Sequence, residues 1–208
     1  MIARISRSVS SFFVSRDIVP EDDREVYAYS FEILLATLIN FFALVILSVA
    51  SGTVLETAFF MLGFVPLRQS TGGYHAKNHF RCFLILLFSY TVFLLSLHLL
   101  PVELLIPALI VGTVLSYVIV FAFAPSADAN KPFSNEETIR FKKRSRLSIF
   151  AYAVVTCLLV VFVPDNRLAF SLAMGVFTVS ASLLANLIKY EYGSNRKYRR
   201  RQRGGNEQ

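Results

Sequence analysis

The amino-acid sequence predicts an all-α, polytopic membrane protein, and three observations carry that prediction. Of the 208 residues, 55% are hydrophobic and 17% are charged, whereas a soluble domain has about 45–50% apolar and about 25% charged residues. The mean hydropathy is +0.55. The apolar residues form runs close to the ~20 residues that cross a hydrocarbon core of about 30 Å. Because no change of composition separates these runs, we expect a single membrane domain over residues 1–208.

The first 30 residues are expected to form cytoplasmic or interfacial helices. Ile2, Ile5, Val9 and Phe12 recur at helical spacing opposite Arg and Ser residues, a pattern typical of an amphipathic helix in the membrane interface. A terminus that packs a few apolar side chains on the bundle is the alternative. A second helix is expected to start at Pro20, because proline and acidic residues favour the first helical turn.

Six apolar segments follow within residues 31–188. Five are clear spans, whereas the second is short and carries Glu56 and Pro66, so its length alone favours a re-entrant or interfacial segment. The segments are, in order, Ile33–Ala50, Val54–Leu67, Phe83–Leu100, Leu104–Ala124, Leu147–Val163 and Leu168–Ile188.

The distribution of basic residues decides the topology that we expect. All Lys and Arg residues except Arg167 lie in four regions, namely 1–30, 68–82, 125–146 and the tail 189–208. Lys and Arg in short loops favour the cytoplasmic side, and the four regions share one side only if Val54–Leu67 crosses. We therefore predict a multi-pass cell-membrane protein of six crossings, with both termini and the loops 68–82 and 125–146 in the cytoplasm.

The run of residues 68–82 is polar, bears glycines and contains both His and Cys. A thiol acts as a nucleophile when a neighbouring base or cation favours its ionised form, and His75 and His79 both precede Cys82. On an unbroken helix His75 and Cys82 lie about 10.5 Å apart along the axis, so His79 is the nearer partner. For His75 to act on Cys82, the chain must bend within residues 76–81 or substrate must bring the two together.

Other functions are weaker alternatives on the same residues. A metal site of His75, His79 and Cys82 lacks a fourth ligand, so we predict no metal and no cofactor. A small transporter or channel usually carries ionisable residues inside its spans, and the interiors of these spans carry essentially none. A non-catalytic adaptor with basic loops is the remaining alternative. Nucleic acid is not an expected partner, since aromatic residues do not interleave with the charges. Cys157 is expected to be a buried apolar residue.

The sequence resembles the accessory gene regulator protein B (AgrB) family, membrane endopeptidases that process a quorum-sensing peptide precursor in Gram-positive bacteria. The resemblance rests on Arg68, the block Gly72-Gly73-Tyr74-His75-Ala76 and the following Cys82. A second stretch supports it, from Phe123-Ala124-Pro125 through Asn130-Lys131-Pro132 to Lys142-Lys143-Arg144. The acidic entry to the first span, from Glu21 to Tyr29, is also similar to the family.

The resemblance implies that Cys82 is the nucleophile and His75 the general base. From the residues alone, Arg68, Gly72, Gly73 and His79 are auxiliary candidates. The two glycines allow a bend before His75, and Arg68 either anchors its helix at the membrane interface or holds a substrate oxygen near Cys82. His79 lies outside the family pattern, and its closeness to Cys82 leaves the identity of the base open. The implied activity is removal of a C-terminal tail from a short precursor peptide, coupled to closure of a thiolactone or lactone through an acyl-enzyme thioester.

The implied partner is a precursor peptide, which we expect to be amphipathic with an acidic C-terminal tail. Basic residues of the second polar loop would bind that tail, and the candidates are Lys131, Lys142, Lys143 and Arg144. The alternative for these charges is cytoplasmic retention and attraction to anionic lipid. Association of two copies as a homodimer is compatible with so small a bundle.

Overall fold

A computed structural model describes residues 2–71, 79–126 and 134–204. For His79, Asn135 and the residues after 188 it describes the backbone alone. The described residues form helices and no strand, which confirms the all-α prediction. The elements are α1 Ile2–Ser15, a short 3-10 turn Glu21–Asp23, α2 Arg24–Ser51, α3 Val54–Thr71, α4 His79–Leu99, α5 Val102–Phe123, α6 Asn135–Phe162 and α7 Arg167–Gly204.

Local sequence signals explain where these helices begin and end. Gly52 has a φ of 68°, a left-handed conformation that glycine adopts without a Cβ clash, and it ends α2. Pro101 caps the N-terminus of α5, where its missing N–H costs no hydrogen bond. Ser134 and Glu137 form a reciprocal capping box that begins α6, with the Glu137 N–H donating to Ser134 Oγ at 3.1 Å.

Within the described residues, five helices are long and apolar enough to cross a membrane, which confirms a polytopic bundle. They are Glu21–Ser51, which includes the 3-10 turn, then Phe80–Leu99, Val102–Phe123, Glu136–Phe162 and Arg167–Ile188. Each predicted apolar segment lies within one helix, apart from an overhang of about one residue at some ends. Several of the helices extend well beyond their apolar segment. The short second segment is the helix α3, whose 18 residues are about 27 Å long.

The helix α3 runs parallel to α7 over most of its length. Glu56 and Arg167 lie near the starts of the two helices with 3.3 Å between Oε1 and Nε. Further along, Gly63 packs on the backbone of Leu172, and near the end of α3 the Arg68 guanidinium donates to Ser182 Oγ. Contact therefore extends over about 18 Å of α3 beside a helix of spanning length. This packing supports a sixth crossing, which stays a prediction.

The described chain falls into two compact units, Met1–Val54 with Asn78–Leu87, and Leu55–Lys77 with Phe88–Gln208. The single-domain organisation expected from composition stays a prediction. In the first unit α1 packs on α2, where Ser10 Oγ donates to the Arg24 carbonyl at 2.6 Å and the rings of Phe13 and Phe31 stack at 5.5 Å. Ile5 and Phe12 of α1 remain exposed, as an interfacial helix requires, although its position in a membrane stays a prediction.

The second unit has an apolar core built from four helices. Its members are the buried residues Leu67 of α3, Val120 and Ala124 of or just after α5, Ile149 of α6, and Val176, Val179 and Leu183 of α7. An aromatic group of Phe60, Tyr90 and Phe93 is fully buried in the same unit. There the hydroxyls of Thr57 and Tyr90 lie 2.7 Å apart, which satisfies both buried groups.

The connections are shorter than the polar runs of the sequence suggested. The expected loop 68–82 is helical at both ends, because α3 continues to Thr71 and α4 starts at His79. The expected loop 125–146 is helical from Asn135 onward, and the helix α7 extends through the basic tail to Gly204. Backbone hydrogen bonds propagate a helix regardless of whether its side chains are apolar, so a span boundary is not a helix boundary.

The structure also corrects the expectation for Cys157. Its side chain is exposed on α6 and not buried in the core. In a membrane helix the lipid-facing surface is apolar as well as the interior, so an apolar sequence environment does not indicate which side a residue occupies.

Candidate functional site

Cys82 lies in the first turn of α4, and its thiol is free and exposed. His79 is the first residue of the same helix, and a separation of three residues places the two positions on one helical face. The neighbouring position Arg81 is exposed.

His75 lies outside the described residues, together with Gly72 and Gly73. Because α4 already includes residues 79–82, a helix joins His79 to Cys82 without a bend. The positions between His75 and His79 lie outside the described residues. The assignment of His75 as the base stays a prediction.

Arg68 is held in the last turn of α3, within the second unit. The side chain is half-buried, and its guanidinium donates to the Ser182 hydroxyl of α7. An arginine in a partly buried position needs such partners, since an unsatisfied buried charge is costly. The contact joins the end of α3 to α7 near the end of its apolar segment.

The end of α3 is joined to the chain segment that follows α5. The Ser126 N–H donates to the Thr71 carbonyl at 3.0 Å, and Asn186 Nδ2 on α7 donates to Ser126 Oγ at 2.9 Å. Gly72 follows Thr71 directly in the sequence. The two stretches that carry the family resemblance, which begin around Arg68 and Phe123, therefore meet at the Thr71–Ser126 hydrogen bond.

Three of the four basic residues predicted to bind substrate lie on α6, about two turns after its start. Lys142, Lys143 and Arg144 are exposed, whereas Lys131 lies outside the described residues. Arg146 is used structurally, because its guanidinium lies 4.2 Å from the centre of the Phe121 ring and anchors α6 on α5. The three exposed cations are consequently carried by a rigid helix and not by a loop.

Within the described ranges, no group of three or more His, Cys, Asp or Glu residues is arranged to hold a metal ion. The metal site considered from the sequence includes His75, which lies outside those ranges. The described residues therefore offer an exposed thiol in the first unit and, in the second unit, a cationic helix surface and a polar contact between helices.

Three residues of the polar contact were missed by sequence reasoning, namely Ser126, Ser182 and Asn186. Serine in an apolar span usually packs between helices, so Ser182 carried no special signal. Asn186 did carry one, because an amide in an apolar helix is costly unless it is hydrogen-bonded. Ser182 and Asn186 are also four residues apart and so share a face of α7.

Comparison with known proteins shows a family to which most of the chain is similar. The sequence profile of the accessory gene regulator B family matches residues 6–184. Two relatives from Clostridium perfringens, from strain 13 / Type A and strain SM101 / Type A, are described as AgrB-like proteins. They are 29% and 28% identical to the chain over 154 residues, with 72% of each chain covered. No solved structure matches the chain. Since the profile extends over most of its length, the chain belongs to the AgrB family, whose members process quorum-sensing peptides at the membrane.

Proposed function

We propose that the protein is a membrane cysteine endopeptidase that removes the C-terminal tail of a short precursor peptide and closes the remaining peptide into a ring. The observation that carries the proposal is the exposed, free thiol of Cys82 in the first turn of α4, seven residues after His75 of the Gly-Gly-Tyr-His block. Family membership supplies the substrate class, a quorum-sensing peptide precursor.

In the first step His75 accepts the thiol proton of Cys82, and the sulfur attacks the carbonyl carbon of the scissile peptide bond. The C–N bond breaks, the proton passes from His75 to the leaving amine, and the released tail departs. The precursor is then held on Cys82 as an acyl-enzyme thioester. His79 is the alternative base, because it lies three residues before Cys82 on the same helix.

In the second step a thiol or hydroxyl of the bound peptide attacks the thioester. The bond between the acyl carbon and the Cys82 sulfur breaks, the attacking group loses its proton to the base, and the base passes that proton to the departing Cys82 sulfur, which regenerates the free thiol. The product is a thiolactone or a lactone. Ring closure competes with hydrolysis when the peptide is held folded and water is excluded, because an intramolecular attack needs no second molecule to be captured.

The exposed cations of α6 supply a binding surface for the acidic tail. Lys142, Lys143 and Arg144 lie on consecutive positions of one helix and are exposed, with Lys131 upstream in the sequence. Such charges raise the association rate and the affinity for an anionic segment, and both effects weaken as salt is added. Self-association into a homodimer is compatible with this function but not required by the chemistry.

The decisive experiment is co-expression with a candidate precursor and measurement of tail release and ring formation by mass spectrometry. We expect Cys82→Ala to abolish both products. Cys157→Ala is the matched control, because Cys157 is an equally free and exposed thiol on another helix, and it should process normally. Full processing by Cys82→Ala would eliminate the proposal and leave the transporter and adaptor alternatives.

Two further variants identify the base. If His75 is the base, His75→Ala abolishes processing and His79→Ala retains most of it. Activity of His75→Ala together with loss in His79→Ala would reverse the assignment. A chelator should leave processing intact, since the proposed steps use no metal.

A further inference from the structure

Asn186, Ser126 and Thr71 form a hydrogen-bonded chain across three parts of the second unit. Asn186 Nδ2 on α7 donates to Ser126 Oγ at 2.9 Å. The Ser126 N–H donates to the carbonyl of Thr71 at 3.0 Å. Thr71 is the last described residue of α3. We call this chain the Asn186 relay.

Burial makes these hydrogen bonds important. Thr71 is fully buried, and Ala124 and Leu183 beside the relay are at most 5% exposed. A buried carbonyl without a partner costs about 1–3 kcal/mol. The Ser126 N–H supplies a hydrogen bond to the carbonyl of the buried Thr71.

The Asn186 side chain also needs a hydrogen-bond partner. It is half-buried in a helix whose neighbours on either side are apolar, Leu183 and Ile188 among them. A side-chain amide in such a place is stabilised only when it bonds to a polar group, and here that group is the Ser126 hydroxyl. Replacing Asn186 would remove the partner of the Ser126 hydroxyl, and Asn186 is not one of the buried residues of the apolar core described above.

We propose that Ser126 and Asn186 are positioning residues that fix the end of α3 and the start of the α5–α6 connection against each other. This inference rests on the proposed function. Thr71 is covalently followed by the Gly-Gly-Tyr-His block and Ser126 by the stretch that contains Lys131. The relay thus sets the common origin of the segments that bear the proposed base and part of the proposed substrate surface. Neither residue takes part in bond making.

The first test is a set of matched variants in the full-length protein, assayed by initial processing rate per amount of folded, monodisperse enzyme. Ser126→Val removes the hydroxyl, whereas Ser126→Thr keeps it in nearly the same volume. We expect Ser126→Val and Asn186→Leu each to lower kcat about tenfold, equivalent to about 1.4 kcal/mol of transition-state stabilisation. Ser126→Thr should stay within about twofold of wild type, and the melting temperature should change little.

The double variant Ser126→Val with Asn186→Leu tests whether the two residues act together. Residues that act through one hydrogen bond are non-additive, so the double variant should be no slower than either single variant. Thr178→Val on the same helix is the control, because the Thr178 hydroxyl bonds to its own helix at the Met174 carbonyl. Additive losses, or equal damage from Ser126→Thr and Ser126→Val, would overturn the positioning role.

A second test detects the contact between Thr71 and Ser126 without an activity assay. Thr71→Cys and Ser126→Cys are introduced together in a background of Cys82→Ala and Cys157→Ala, and disulfide formation is followed on mild oxidation. Residues joined by a backbone hydrogen bond have Cα separations compatible with a disulfide. We expect cross-linking of this pair and none of Thr71→Cys with Ser116→Cys, since Ser116 lies more than two turns earlier on α5.

The two tests separate the possible failures. Wild-type protein that processes no precursor defeats the proposed function, and the relay then stands or falls on the cross-link alone. Absence of the cross-link overturns the relay itself. A cross-link together with full activity of Asn186→Leu overturns the positioning role and leaves the contact as packing only.

Discussion

Arg167 Nε lies 3.3 Å from Glu56 Oε1 and ties the first turns of the parallel helices α3 and α7 together. The side chains are 37% and 17% exposed, and the Nε–H is not aligned as a hydrogen bond. The contact is therefore an ion pair held by charge attraction. It gives the one Arg outside the four basic regions an acidic partner.

The ion pair predicts that Glu56→Gln lowers the stability of the bundle by about 1 kcal/mol, because Arg167 keeps its charge and loses its partner in a half-buried place. Thermal unfolding in detergent measures the effect as a lower melting temperature. The exchanged pair, Glu56→Arg with Arg167→Glu, should recover part of the loss. No recovery in the exchanged pair would mean that the two residues stabilise the protein independently.

The closest approach of α3 and α7 predicts a strong effect at two glycines. A Cβ on Gly63 would lie 2.5 Å from the Leu172 carbonyl oxygen, and a Cβ on Gly175 would collide with the Phe60 carbonyl. Both neighbours are helix backbone and cannot rotate away. Gly63→Ala and Gly175→Ala should each destabilise the protein by about 1–3 kcal/mol and reduce the yield of folded protein.

Gly112 supplies the matched control for that prediction. It lies on α5, and no atom lies within 4 Å of a Cβ built on it. Gly112→Ala should leave the melting temperature unchanged or raise it, since alanine favours a helix by about 1 kcal/mol over glycine. Equal losses at Gly63 and Gly112 would show that helix propensity, and not helix–helix contact, controls stability.

The amphipathic helix α1 predicts an interfacial position that fluorescence can test. The natural chain contains no tryptophan, so a single introduced Trp is the only one present. Phe12→Trp on the exposed apolar side should emit at shorter wavelength and be quenched by brominated lipid. Arg7→Trp, on another face of the same helix, should be quenched much less. Equal behaviour of the two probes would favour a terminus packed on the bundle.

The charge distribution predicts which helix ends face the cytoplasm. Single cysteines are introduced at exposed positions in a chain carrying Cys82→Ala and Cys157→Ala, and a membrane-impermeant thiol reagent is added to intact cells. Pro164→Cys, between α6 and α7, should react from outside, whereas Glu136→Cys, at the start of α6, should react only after permeabilisation. The reverse result would indicate five crossings, with α3 remaining on one side.

Much of the fold follows from local patterns that can be read along the chain. Each apolar segment predicted from the sequence has one boundary within about one residue of a helix boundary, because apolar length and a Gly or Pro at the boundary act locally, as at Gly52 and Pro101. The boundaries next to polar runs are predicted wrongly. Asn135–Arg146 is helical because the Ser134 capping box starts a helix outside the apolar segment, and polarity had suggested a loop.

The candidate site divides in the same way. The sequence by itself determined the membrane class, the family, and the choice of His75, His79 and Cys82 as candidate catalytic residues, because these depend on composition and on residues close in the chain. Only the tertiary structure decided that the short α3 runs beside α7, and that Thr71, Ser126 and Asn186 meet. Contacts between residues 55 or more positions apart depend on which helix faces pack together, and the order of apolar and polar residues along one helix does not specify its partner.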